Sequence, residues 1–355
     1  MARPKTPSGL IMPRLQWPVT MEQAELELDE LKKTQPGLFL GPPGQAYLRG
    51  IDFYLPSALP TVYQQALNSF YAAHKRMPDL IGLPQIVDYY FAIKFFSAVP
   101  IAPNPSDKLN ASAYLSPDLL AGIALPKRPW TSDDWRLPDD DAVPPGRYFY
   151  KFANGSTMHE EVVWPPTRNK RMKLEDQARR WAMSYWGLHW GEWWYFSSKP
   201  RFFLEEVLED PSAAIVEASI FVCQGSPKLV QLRSDPKPRV ALERLFTIEG
   251  KPLGGSVGGP TRKRLDRAAT LPSCIDTILQ AASDIGRNLF FARIDFLHIW
   301  ADKPYLGEIT FCTYNATAGF KPADFDLEAR KMLFGQSVLS DMSKPPSPHQ
   351  VSLRP

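Results

Sequence analysis

The sequence has few cysteines, no long apolar run and little excess charge, and each deficit excludes a class of protein. Its three cysteines lie far apart in 355 residues, which predicts reduced core thiols rather than a disulfide framework or a metal cluster. A net charge of +3 is too small to indicate a nucleic-acid or membrane-surface partner. No uncharged apolar run reaches the roughly 18 residues of a membrane span, and the N-terminus lacks a signal-peptide core. We therefore expect a cytoplasmic globular protein with no nucleic-acid partner and no membrane span.

The composition is that of a chain with a large core. Hydrophobic residues make up 44% and aromatic residues 12% of the sequence, which predicts two or three lobes. The 36 prolines are about twice the ordinary usage and fall mostly between periodic segments. Periodicity predicts helices at 21–34, 59–76, 174–186, 275–288 and 327–334, and strands at 147–153, 201–208, 214–223, 290–298 and 305–311.

The segment 291–311, FARIDFLHIWADKPYLGEITF, places one acid in each of two apolar runs. A short turn at 301–304 joins the runs, so a hairpin brings Asp295 and Glu308 to one face of a sheet, with Arg293 beside them. Carboxylates are hard ligands that suit Mg²⁺, and an arginine fork suits phosphate oxygens. The hairpin therefore predicts the chemistry of ATP use.

Two further segments carry polar groups at strand ends. RYFYKFA ends at Lys151 and runs into the small, polar turn Asn154-Gly155-Ser156-Thr157, whose amides are able to approach phosphate oxygens. RFFLEEVLED offers a backbone hinge at 205–208 for the edge of an adenine. Each segment alone is equally typical of a solvated hairpin or an edge strand.

The order of these segments resembles the ATP-grasp superfamily, and specifically its TupA-like branch associated with surface-polymer synthesis. The resemblance covers roughly 107–326. It is carried by SDKL (106–109), KFANGS (151–156), EWWYFSSKPRFFLEEVLED (192–210), FVCQGSPKLV (221–230), RIDF (293–296), LGEITF (306–311) and GFKPADFD (319–326).

The resemblance implies an α+β ATP-grasp fold that holds a nucleotide between two α+β lobes, with a divergent N-terminal lobe. The implied boundaries are 1–104 for the N-terminal lobe, 105–210 for the lobe with the lysine strand, 211–335 for the catalytic lobe and 336–355 for a proline-rich tail.

The resemblance also implies a role for each matching residue, with ATP and Mg²⁺ as cofactors. Asp295 and Glu308 correspond to the metal ligands, with Thr310 in the place of a third. Arg293 and Lys151 correspond to the catalytic, phosphate-binding cations. The remaining nucleotide contacts are assigned to Lys108, Ser156, Glu205, Glu206, Val207, Leu208 and Glu217.

Three features depart from the family pattern. The loop after Lys151 lacks a His-Gly-Ser-Gly sequence, and Glu206 and Ser219 stand where lysines are commoner. The implied function is a carboxylate–amine ligase that forms an amide through an acyl phosphate on small-molecule substrates. Two alternatives stay open, a phosphotransferase on the same scaffold and a non-catalytic nucleotide-binding partner. A homodimer is one open oligomeric state.

Two other segments allow more than one interpretation. The tryptophans between 181 and 194 suit core packing better than stacking on sugars or bases. The glycine-rich run 250–259 and the basic residues after it are equally typical of a mobile lid and of a solvated linker.

Overall fold

A computed structural model describes residues 19–34, 58–97, 104–184, 187, 190–196, 199–208, 217–234, 242–257, 263–264, 270–300 and 303–335. Helices and antiparallel strands occur in segregated layers, so the α+β class expected from the sequence is confirmed. The helices are α1 (Met21–Thr34), α2 (Ala58–His74), α3 (Ile86–Phe96), α4 (Pro117–Leu120), α5 (Arg168–Met183), α6 (Ile275–Gly286) and α7 (Ala323–Phe334).

Twelve strands in the described residues form three sheets. They are β1 (Trp130–Ser132), β2 (Gly146–Phe152), β3 (His159–Trp164), β4 (Phe202–Glu206), β5 (Glu217–Cys223), β6 (Ser226–Ser234), β7 (Leu242–Phe246), β8 (Ser256–Val257), β9 (Lys263–Arg264), β10 (Phe291–Leu297), β11 (Tyr305–Thr310) and β12 (Phe320–Lys321). The sheet orders are β1-β4-β2-β3, β11-β10-β5-β6-β7-β9 and β12-β8.

The four-stranded sheet has one apolar and one polar face because β2 alternates strictly. Tyr148, Tyr150 and Phe152 are buried in a core that includes Leu174 and Trp181 of α5. The intervening side chains, including that of Lys151, lie on the opposite face. This sheet therefore carries its lysine outside its own core.

The six-stranded sheet is covered on both faces, but unequally. One face packs on α6, where Gly286 allows close approach, since a Cβ there would lie 2.4 Å from Val222 Cγ1. The other face is apolar around Phe221 and Phe291, which pack against α3 and α7. Further along the same strands this second face becomes polar.

The N-terminal helices share a core with the six-stranded sheet. Tyr90 of α3 lies 5.3 Å from Phe291 of β10, measured between ring centroids, and Tyr89 stacks on Phe334 of α7 at 4.4 Å. Residues 111–123 also pack against this sheet. The N-terminal helices are therefore placed to shape whatever site the sheet carries.

The sequence-based elements are close to those observed, with instructive differences. The bounds of α1 are as predicted, and β2, β4, β10 and β11 lie within one or two residues of prediction. Helix α5 begins earlier than predicted because Thr167 caps it, accepting a hydrogen bond from Lys170 N at 3.3 Å. The helices α3 and α4 and the strands β1, β3, β6, β7, β8, β9 and β12 have no counterpart among the predicted elements. Residues 214–216, 301–302 and 336–355 lie outside the described residues.

Within the described part of the chain, no helix is both long enough and apolar enough to cross a membrane.

Candidate functional site on the six-stranded sheet

The register of the six-stranded sheet places a row of polar side chains on one face. Asp295 of β10 lies directly opposite Glu308 of β11 on one side and Ser219 of β5 on the other. Directly opposite residues of antiparallel strands share a face. Gly307 of β11 is the extra residue of a β-bulge next to Asp295, and the bulge changes the direction of β11 there. The pairing of Asp295 with Glu308 expected from the sequence is therefore present.

Arg293 and Asp295 form a buried, bidentate ion pair on this face. Arg293 donates from Nε and Nη2 to the two carboxylate oxygens at 2.8 and 2.7 Å, and both residues are less than 10% exposed. Burial alone would raise the pKa of Asp295, but Arg293, Arg233 and a hydrogen bond from Ser219 outweigh it and hold that pKa below its ordinary value. Asp295 is therefore an anion at neutral pH.

A second row of charges lies next to the first, on β5, β6 and β7. Arg233 pairs with Glu217 and has Nη2 3.7 Å from Asp295 Oδ2. Its neighbour in register is Glu243, which is buried and accepts hydrogen bonds from Gln231 and from Val257 N, each at 2.6 Å. Glu217, assigned by resemblance to the ribose, is thus held by an arginine on the next strand.

The two rows together carry more negative than positive charge. They hold four carboxylates, Glu217, Glu243, Asp295 and Glu308, and, among the described residues, two guanidinium groups, Arg233 and Arg293. Asp295 and Glu243 are buried, whereas Glu217 and Glu308 are partly exposed, and an excess of negative charge on one face favours a bound cation. The composition of this face therefore suits a divalent metal ion.

The donor set fits Mg²⁺ rather than a transition metal. Asp295, Glu308 and Thr310 offer only oxygen atoms, and Thr310 Oγ1 lies 3.3 Å from Glu308 Oε1. The described residues contain no cluster of three or more His, Cys, Asp or Glu side chains placed to hold a metal. Mg²⁺ commonly takes one or two carboxylates together with water and substrate phosphates, so two carboxylates suffice.

The four-stranded sheet carries a second charged cluster, centred on Glu205. Its carboxylate binds Lys151 Nζ through one oxygen and Arg128 Nε, at 3.0 Å, through the other. Burial raises the pKa of Glu205, but Lys151 and Arg128 outweigh this and hold it below the ordinary value. The cluster has two cations for one anion, which leaves positive charge for a phosphate.

The loop after Lys151 is fixed by polar contacts to residues 104–110. Lys108 Nζ donates to Gly155 O at 2.7 Å, so two of the predicted phosphate-binding lysines belong to one loop region. Asn154 accepts from Arg201 N at 3.2 Å, and Arg201 in turn pairs with the buried Asp107. Ser156 is half-buried in the same loop.

The predicted adenine hinge lies at the end of β4, and its two acids point in different directions. Glu205 faces Lys151, whereas Glu206 reaches Lys127, with Oε2 3.7 Å from Nζ. Val207 N donates to Arg147 O at 3.0 Å, so this amide is used within the sheet. Leu208, at the end of the hinge, is half-buried.

Tyr195 connects the two clusters, and Tyr314 covers the acidic row. Asn154 Nδ2 donates to Tyr195 O at 3.2 Å, and the charge of Glu308 acts on the Tyr195 hydroxyl, whose pKa burial already raises well above its ordinary value. Tyr314 lies over Arg293, with Cζ 5.4 Å from the ring centroid. The lysine loop and the acidic row therefore approach the same region.

Several residues of this region were not identified from the sequence. Arg128 and Arg233 contact predicted site residues, Arg201 holds the loop after Lys151 through Asn154, and Gln231 and Glu243 pair with each other beside Arg233. The signal for Gln231 and Arg233 was the alternation of LVQLR in the unpredicted strand β6. The contacts of Arg201 and Asn154 depend on residues distant in sequence and left no local signal.

Comparison with known proteins finds similarity only to solved structures. No protein-family model matches the chain, and no curated protein matches it. The ATP-grasp ligase PsnB complexed with a minimal precursor is 15% identical, with 60% of this chain and 53% of that chain covered and a TM-score of 0.32. The D-alanine–D-alanine ligase from Bacillus anthracis is 12% identical, with 70% and 68% covered and a TM-score of 0.39.

The L-amino acid ligase from Bacillus licheniformis is 15% identical, with 72% and 54% covered and a TM-score of 0.38. The chain thus spans about half of the length of the PsnB chain that it matches. Identities and TM-scores this low assign neither a function nor a residue role to this chain. The functional assignment below therefore depends on contacts within this chain.

The lowered pKa of Asp295 predicts a specific pH dependence of stability. Because the folded-state value lies below the unfolded value of about 3.9, the ion pair stabilises the protein at neutral pH, and this contribution is lost as the pH falls through the folded-state pKa. Asp295→Asn should cost about 3–5 kcal/mol at pH 7, since it leaves Arg293 buried without its anion. The measurement is urea unfolding from pH 7 down to about pH 2.

The variant should also show a shallower loss of stability below about pH 5 than the wild type. Asp133→Asn, an exposed aspartate after β1, is the control for loss of one surface charge. Equal acid slopes for Asp295→Asn and the wild type would contradict the assignment.

Proposed function

We propose that the chain binds ATP with Mg²⁺ between its four-stranded and six-stranded sheets and joins a carboxylate to an amine. The observation that carries the proposal is the acidic row of Asp295 and Glu308, opposite each other in register, with Arg293 on Asp295. The lysine loop at 151–156, which meets Lys108, supports it from the other sheet. We propose 105–210 and 211–335 as the two ATP-grasp lobes, and the TupA-like branch as the finer assignment.

Nucleotide binding is assigned to groups from both sheets. Lys151, Lys108 and the loop at Ser156 would bind the phosphates, and the hinge at 205–208 would bind adenine through its backbone. Glu217, held by Arg233, would accept the ribose hydroxyls. Because Glu205 is already shared by Lys151 and Arg128, its side chain orients Lys151 rather than contacting the base.

The metal site is assigned to Asp295 and Glu308, with Thr310 as a weaker neighbour. When bound there, Mg²⁺ would neutralise charge on the phosphates. Arg293 donates hydrogen bonds from Nε and Nη2 to Asp295. Its remaining nitrogen, Nη1, is assigned to an oxygen of the transferred phosphoryl group. Tyr314 over the guanidinium limits its rotation.

The proposed reaction has two steps. A substrate carboxylate oxygen attacks the γ-phosphorus of ATP and ADP leaves, which gives an acyl phosphate. An amine then attacks the acyl carbon, phosphate leaves with the bonding electron pair, and the amine nitrogen loses a proton as the amide forms. The carboxylate is already ionised at neutral pH, so the first step requires no base.

Glu308→Gln tests the metal site with least disturbance of the fold. Glu308 is half-buried and, within the described part of the chain, makes no bidentate ion pair of the kind that holds Asp295. We expect Mg²⁺ to strengthen ATP binding in the wild type, and we expect the variant to lose this enhancement by at least about tenfold, as loss of metal-site groups commonly does. The measurement is calorimetric titration with ATP, with and without Mg²⁺.

Glu328→Gln, an exposed glutamate on α7, is the matched control and should behave like the wild type. The same Mg²⁺ dependence in Glu308→Gln as in the wild type would exclude Glu308 as a ligand.

Hydroxylamine distinguishes the ligase from a phosphotransferase. An acyl phosphate reacts with hydroxylamine to give a hydroxamate, so a panel of amino acids and uronic acids with ATP and Mg²⁺ should yield a hydroxamate and ADP for the true acid even without its amine. Glu308→Gln should give neither, and Glu328→Gln should give both. Phosphorylation of a hydroxyl compound with no hydroxamate from any acid would replace the ligase by a phosphotransferase.

A further inference from the structure

The turn that follows β11 has an unfavourable backbone conformation. Three consecutive residues with side chains are left-handed: Tyr314 (φ 51°, ψ 28°), Asn315 (φ 54°, ψ 28°) and Ala316 (φ 60°). L-residues avoid this region, and asparagine is the one of the three that tolerates it best. Such conformations persist where surrounding contacts enforce them, and they concentrate at functional sites.

The N-terminal helices supply the contacts that enforce this turn. His74 Nε2 of α2 lies 2.9 Å from Ala316 O, and Lys94 Nζ of α3 donates to Asn315 Oδ1. Within the turn, Thr317 donates to Tyr314 O from its backbone N at 2.9 Å and from Oγ1 at 2.7 Å. The turn is therefore held by Thr317 from within and by His74 and Lys94 from a distant part of the chain.

Lys94 is an unusual residue for its position. It lies on the apolar helix α3, is 1% exposed, and donates its other hydrogen bond to Trp190 O at 2.9 Å. Burial lowers the pKa of its ammonium group, while Cys312 and Glu192 act in the opposite direction. A buried ammonium is costly even when it is hydrogen-bonded, and a leucine or methionine would fill this space in an ordinary core helix.

The turn holds Tyr314 against the acidic row. The Tyr314 ring lies over Arg293, at 5.4 Å from Cζ to the ring centroid, and Arg293 binds Asp295. A continuous series of contacts thus runs from Lys94 through Asn315 and Tyr314 to Arg293. We propose that Lys94 is a positioning residue, which through Asn315 holds Tyr314 on Arg293 and so fixes the orientation of that guanidinium.

The consequence for phosphate binding rests on the proposed function, in which Arg293 binds the transferred phosphoryl group. The positioning itself does not depend on it. The two statements are therefore tested by separate measurements.

Fluorine NMR tests the positioning without any nucleotide. The protein labelled with 3-fluorotyrosine gives a resonance for each of its 13 tyrosines, and Tyr314→Phe identifies the one from Tyr314. We expect this resonance to shift or broaden in Lys94→Met, because the ring leaves its fixed place over the guanidinium. A purely structural role would lower the thermal unfolding midpoint of the variant and leave the Tyr314 resonance of the folded protein in place.

Two further variants control the experiment. Asn315→Gly removes the side chain that accepts a hydrogen bond from Lys94, and glycine suits the left-handed backbone. It should therefore displace the Tyr314 resonance as Lys94→Met does. If Lys94→Met fails to fold, the result for Asn315→Gly decides the test. Ala316→Gly relieves the same backbone strain and keeps the Lys94 contact, so its resonance should match the wild type. An unmoved Tyr314 resonance in folded Lys94→Met or Asn315→Gly would overturn the proposal.

Calorimetric titration with MgATP provides the second readout. Since a cation–π contact at a partly desolvated site contributes a factor of several to an equilibrium, we expect Lys94→Met and Tyr314→Leu each to weaken binding by a factor of several. The double variant should be no weaker than either single one, because both remove the same contact. Additive losses of affinity in the double variant would overturn the coupling between Lys94 and Tyr314. Absence of MgATP binding in the wild type would contradict the proposed function, and the fluorine NMR result alone would then decide whether Lys94 positions Tyr314.

Discussion

The structure of the site depends on the burial of Asp295. A carboxylate inside a sheet face that is otherwise covered by helices requires a cation, and Arg293 provides it from the same strand through two hydrogen bonds. Arg233 approaches from two strands away, and Tyr314 covers Arg293 from the turn after β11. The polar face of the sheet is organised around this one ion pair.

One face of the six-stranded sheet changes from apolar to polar along its strands, and the ion pair lies in the polar part. Where β10 and β5 carry Phe291 and Phe221, the face accepts α3 and α7. Asp295 lies four residues beyond Phe291 on β10, and Ser219 lies two residues before Phe221 on β5. At these residues the same face of the sheet is polar. The apolar half anchors the N-terminal helices, and those helices hold the turn that bears Tyr314. Fold and site are thus connected through α3.

Two residues that depart from the pattern of the resembling family, Ser219 and Glu206, lie near basic side chains in the structure. By the resemblance, Ser219 stands where a lysine is commoner, and Arg233 on the adjacent strand brings a guanidinium to 3.7 Å from Asp295. Glu206, the second such position, faces Lys127 on the far side of the sheet from Lys151. A guanidinium outside the motifs that carry the resemblance therefore supplies positive charge near Asp295.

The sequence predicted the hairpin well because β10 and β11 are apolar runs that each carry one acid and lie few residues apart in sequence, so the pairing of Asp295 with Glu308 followed from local pattern. It did not predict α3, because IVDYYFAIKFF is apolar on every side and shows no helical period. It also missed Lys94 and Arg233, whose roles arise from contacts with Asn315 and Asp295 that only tertiary packing creates. Local pattern predicted this hairpin, whereas the long-range charge partners depend on tertiary packing.

The central claim is that ATP and Mg²⁺ occupy the region between the acidic row and the lysine loop, and a crystal structure with Mg²⁺ and a non-hydrolysable ATP analogue tests it most directly. The account predicts a metal ion bound by oxygens of Asp295 and Glu308, phosphates at Lys151 and Arg293, and adenine at the hinge that ends in Leu208. A nucleotide bound elsewhere, or a metal that contacts neither carboxylate, would contradict it.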